Sequence, residues 1–154
     1  MPTHVRPVLL LLLLFLVGCE WVPDTSNVKV NREPAGGLTD SSFDLDYLRQ
    51  LIESTREAAQ QRLTETYERN KVPPAERYSH ATADGRYAQV GGRRLAVIEL
   101  SYSRNPMRVT RIIGIKEGQL VTVSCISPRG APIDPFAETG ECAEGVREHL
   151  SALR

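Results

Sequence analysis

Long apolar runs are scarce in this 154-residue chain, and after Val17 none approaches the roughly 20 residues that a membrane-spanning helix needs. Charge of one sign is missing as well: 19 lysines and arginines balance 19 aspartates and glutamates. That balance argues against non-specific binding of nucleic acid, which needs a clearly basic face, so nucleic acid is not an expected partner. Histidine is rare, with only His80 and His149 beyond the first few residues. No HExxH, GxSxG, CxxC or phosphate-loop pattern occurs. The expectation is a chain that is not an enzyme, with no catalytic residues, no metal and no cofactor. Lysine is confined to Lys29, Lys71 and Lys116, so almost every cation is an arginine. Arginine suits bidentate pairing with carboxylates.

One apolar run is present, at the N-terminus. Arg6, helped by His4, forms a short basic start, and Val8 to Val17 is almost unbroken hydrocarbon. About ten residues is too short to span a bilayer and suits the core of an export signal. Leu16-Val17-Gly18-Cys19 follows and resembles the lipobox of bacterial lipoproteins. The resemblance implies a signal peptide over residues 1–18, with Cys19 as the lipidated first residue of the mature chain. Such a protein is anchored to a membrane and faces the periplasm. In enterobacterial members of the class, Asp after the cysteine marks inner-membrane retention. Glu20 stands there instead, which favours the outer membrane.

Two further cysteines remain, Cys125 and Cys142. An even pair in an exported chain reads as a disulfide. A two-thiol metal site or a redox pair are the alternatives, and neither CxxC spacing nor a histidine pair supports them.

Residues 19–39 are polar, with Pro23, Pro34 and Gly36-Gly37, and read as a flexible tether. A single α+β domain is expected over 40–154. Its first helix should start near Ser41 or Ser42, with Leu45, Leu48, Leu51, Ile52, Thr55, Ala59, Leu63 and Tyr67 as one apolar stripe. Asn70 and Pro73-Pro74 should stop it. Four strands then read as Arg86–Val90, Arg93–Ser103, Met107–Ile115 and Gln119–Ile126. Gly91-Gly92, Asn105-Pro106 and Lys116-Glu117-Gly118 supply the turns. On this reading Gly85 is a turn residue too. A last helix from about Cys142 to Leu153 turns Val146, Leu150 and Leu153 inward. The architecture is an antiparallel meander of four to five strands, packed by a long N-terminal helix and a C-terminal helix.

Glu99 interrupts an apolar strand and is expected on its solvated face, paired with a cross-strand arginine such as Arg111. Arg93, Arg94, Arg104, Arg108 and Arg111 gather around the strands and hairpin ends. They read either as a solvated face with edge protection or, through Arg104, Arg108 and Arg111, as an interface for an acidic partner.

The order helix, meander, loop, helix resembles the DcrB/PsbP-like family of small α+β domains. The residues that carry it are the helix Leu48 to Tyr67, GGRRLAVIELSYSR from Gly91 to Arg104, and RIIGIKEGQLVTVSC from Arg111 to Cys125. That family often has an extra early strand, for which Val28-Lys29-Val30 is the candidate. The resemblance implies a binding or assembly module without shared catalytic residues. The function expected is a non-catalytic, membrane-anchored binding or envelope-associated module with a protein partner. An immunity lipoprotein that neutralises a toxin or hydrolase acting in the periplasm is the alternative.

Overall fold

The computed structural model describes residues 27–151, so the signal segment, Cys19 and Leu153 lie outside the described residues. Five antiparallel strands form one sheet: β1 (Val28–Pro34), β2 (Ala81–Val90), β3 (Arg93–Tyr102), β4 (Asn105–Lys116) and β5 (Gln119–Ser127). Their spatial order is β1-β5-β4-β3-β2. Strands β2 to β5 are a plain meander, and β1 adds to the far side of β5. Two α-helices complete the α+β fold, α1 (Leu45–Arg69) and α2 (Glu141–His149).

The helices cover opposite faces. α1 lies over β2 and β3, whereas α2 lies over β5 and β1. One apolar cluster joins Phe43, Leu48, Ala96, Ile98 and Ile113 beneath α1. The other joins Leu95, Ile112, Val121, Val123, Val146 and Leu150 beneath α2. Strand β3 therefore buries both of its sides over Leu95–Ile98, which accounts for its unbroken apolar run. The disulfide Cys125–Cys142 is formed, with Cα atoms 5.6 Å apart, and ties β5 to the first turn of α2.

Several boundaries correct the sequence reading. Val28–Pro34 is a paired strand rather than tether, so the folded unit begins before residue 40 and takes in the early-strand candidate. The first helix does not start at Ser41 or Ser42. A single 3-10 turn at Asp40–Ser42 comes first, Phe43 is fully buried, and α1 starts anew with Asp44 as its N-cap. The Asp44 carboxylate accepts from the Tyr47 backbone N–H at 2.8 Å. The chain breaks here because Phe43 must point inward, where its ring stacks between Tyr47 and Tyr87. Leu45 is accordingly not part of the buried stripe and stands 74% exposed.

Strand β2 begins at Ala81, five residues earlier than expected, and Gly85 lies inside it rather than in a turn. A Cβ there would meet Ile98 Cδ1 at 2.7 Å and Ile52 Cγ1 at 2.9 Å. Glycine is what lets α1 approach β2 so closely. The β3–β4 turn is Ser103-Arg104, not Asn105-Pro106, since Tyr102 pairs with Asn105. Gly91-Gly92 and Glu117-Gly118 close the other hairpins, every residue with positive φ as the right-handed strand twist favours. No helix among the described residues is long and apolar enough to cross a membrane.

Candidate binding surface

The three arginines singled out from sequence do not form one surface. Arg104 occupies the β3–β4 turn in the left-handed region, with its guanidinium 4.7 Å from the centre of the Tyr78 ring. Arg108 and Arg111 sit on β4 three positions apart, and the strand's alternation sends them to opposite faces. Arg93 and Arg94 are occupied within the fold, donating to the carbonyls of Ile115 and Phe43 at 2.7 Å each.

Glu99 is solvent-exposed, as expected, but Arg111 is not its partner. Glu99 pairs in register with Thr110, so Arg111 projects from the other side. Glu99 instead shares the α2 side of the sheet with Asp84, its direct cross-strand neighbour. Thr82, Ser101, Arg108 and Thr110 join them around a cleft of about 270 Å³, closed at one end by Ala131–Ile133. The Thr82 and Ser101 hydroxyls hydrogen-bond each other at 2.8 Å. His80 is not in that cleft. Its Nδ1 lies 2.9 Å from Ser103 Oγ, in a network that fastens the start of β2 to the β3–β4 turn. No group of three or more His, Cys, Asp or Glu among the described residues is placed to hold a metal ion.

The α1 side of the sheet is covered only in part. The Phe43 segment closes it over Ile113, Ile115 and Leu120, and α1 then diverges toward β2. Lys29, Arg111, Thr122, Ser124 and Ile126 remain on an uncovered stretch of β1, β5 and β4. At its border, between the second half of α1 and the β3–β4 hairpin, lies a groove of about 260 Å³. Ala59, Arg62, Leu63, Thr66, Tyr102, Asn105 and Met107 line it.

Arg111 is half-buried and does not itself line the groove, but it interacts electrostatically with Arg62 and Tyr102, which do. Its Nε is enclosed and has no hydrogen-bond partner. Burial pushes the guanidinium's pKa down, and the neighbouring Arg62 guanidinium pushes it in the same direction. Neither arginine makes an ion pair with any described residue. Arg62 and Tyr102 are the residues that sequence reasoning missed here. The available signal was spacing: Arg62 is three residues after Ala59 and one before Leu63, so it edges the apolar stripe.

No protein-family model matches the chain, and neither a curated protein nor a solved structure matches it.

Proposed function

We propose that the protein is a lipid-anchored, non-catalytic binding module of the bacterial cell envelope, holding a protein partner on the uncovered α1 side of its sheet. The observation that carries the binding reading is that β4, β5 and β1 are packed by α2 on one side and left half-exposed on the other. That uncovered stretch is mostly polar, with Lys29, Arg111, Thr122 and Ser124 around the half-exposed Ile126, a composition that suits a polar protein interface. The lipobox-like Leu16-Val17-Gly18-Cys19 supports the anchor. The Cys125–Cys142 disulfide fits an oxidising compartment such as the periplasm. With Glu20 after the cysteine, the outer membrane is the favoured address. The order of helix, meander and helix is in keeping with a DcrB/PsbP-like assembly domain.

Two linked measurements test this reading. Mass spectrometry of the purified protein should find an N-terminus at Cys19 carrying acyl mass, and Cys19→Ser should release the chain from the membrane fraction. Chemical crosslinking in isolated envelopes should then capture one protein partner with the anchored form. An unmodified N-terminus overturns the anchor, and absence of any crosslinked protein overturns the binding role.

A further inference from the structure

We infer that Arg62 and Arg111, with the groove between α1 and the β3–β4 hairpin, form a recognition site for an acidic side chain of a protein partner, a carboxylate flanked by apolar groups. This rests on the binding-module reading and names the chemistry of its partner.

Arginine on a sheet surface usually keeps its guanidinium in water or in an ion pair. Arg111 makes no ion pair with a described residue. Its Nε is enclosed and unsatisfied, which carries a cost in the free protein. The charge that acts on it most is another cation, Arg62, and neither arginine forms an ion pair with a described carboxylate. Internal stability gives no reason for that arrangement, whereas an anion bridging both guanidinia would remove its cost. A planar carboxylate matches the guanidinium fork.

The groove narrows the class of anion. Leu63, Met107 and the Tyr102 ring give it apolar walls, and its 260 Å³ suits one or two side chains rather than a lipid acyl chain. An acidic residue next to a leucine or phenylalanine on a partner protein meets both demands. Free phosphate would satisfy the charge alone and leave the walls bare.

The test is an NMR titration of the purified, processed protein with N-acetyl-Leu-Glu-Leu-amide, its Gln analogue, and inorganic phosphate. Saturable shifts are expected at the Arg111 Nε–H and at the backbone amides of Arg62, Tyr102 and Met107. The Gln analogue should bind at least tenfold more weakly, and Arg111→Gln should weaken the Glu peptide by at least tenfold. Arg62→Gln, on the exposed side of α1, should weaken it at least threefold without disturbing the core. Arg111→Met should melt no lower than the parent protein, because it removes an unpaired buried donor. Shifts centred elsewhere, equal binding of the Gln analogue, displacement by equimolar phosphate, or a lower melting point for Arg111→Met would each overturn the site. If the peptide fails while a partner is still crosslinked in envelopes, the binding module stands and the carboxylate site falls. If both fail, both readings fall.

Discussion

Glu99 and Arg111 lie on opposite sides of the sheet, although they belong to neighbouring strands and carry opposite charges. The β3–β4 register pairs Glu99 with Thr110, and one residue further along β4 the side chain turns away. A double-mutant cycle with Glu99→Gln and Arg111→Met should therefore give additive effects on stability, within about 0.5 kcal/mol. A larger coupling energy by chemical denaturation would mean that the two charges meet.

Gly85 and Gly114 let the two helices close on the sheet from opposite sides. A Cβ at Gly114 would come within 2.5 Å of Leu95 Cδ2 and 3.0 Å of Leu150 Cδ2, the counterpart of Gly85 against Ile98 and Ile52. Gly85→Val and Gly114→Val should each cost about 1–3 kcal/mol of unfolding free energy through overpacking. Gly91→Ala, in open space at positive φ, should cost about 1–2 kcal/mol through backbone strain alone. Urea denaturation distinguishes them by adding Ile52→Val, which should ease the first substitution and leave the last unchanged.

The disulfide closes a loop spanning a sequence separation of 17 residues and is the covalent link between the sheet and α2. Its loss through paired Cys125→Ser and Cys142→Ser substitution should remove about 3 kcal/mol. Hydrogen exchange should show α2 (Glu141–His149) losing protection before β3 does, since β3 is buried by neighbours on both sides.

Stability should also fall at high pH. The phenol of Tyr87 is shifted up chiefly by burial and further by the Asp44 carboxylate; that of Tyr47 is shifted up by burial and by Glu33. A raised folded-state pKa means that folding disfavours the phenolate. The stability it contributes is complete below the unfolded phenol's value of about 10 and is lost as pH rises through the folded pKa. Tyr87 also donates a hydrogen bond to the Asp44 carbonyl. Tyr87→Phe should cost about 1 kcal/mol at neutral pH and flatten the alkaline limb of a melting-temperature profile. An unchanged limb in the Tyr47→Phe, Tyr87→Phe double variant would assign the alkaline loss to other groups.

Local pattern made much of this fold legible. Alternation in Gln119–Ser127, the Gly91-Gly92 and Glu117-Gly118 turns, and the Cys125–Cys142 pair each carry their own signal in sequence. Strand β1 does not: it pairs with β5 across some ninety residues, and its Asn31, Arg32 and Glu33 resemble linker. Ala81–Gly85 has weak strand propensity and is held in β2 by the contact with α1. The candidate site was only half legible. Arg111 stands out as a strand arginine, but its face follows from register, and Arg62 joins it only through the path of α1 across the sheet.

The most direct test places a photo-crosslinking amino acid at Ser124, on the uncovered α1 side, and separately at Arg86, exposed on the opposite side of β2. Irradiation of living cells should yield a single protein adduct from position 124 and none from position 86, with the adduct reduced at least tenfold by Arg111→Gln. No adduct from position 124, or equal adducts from both positions, would contradict a binding role for this side of the sheet.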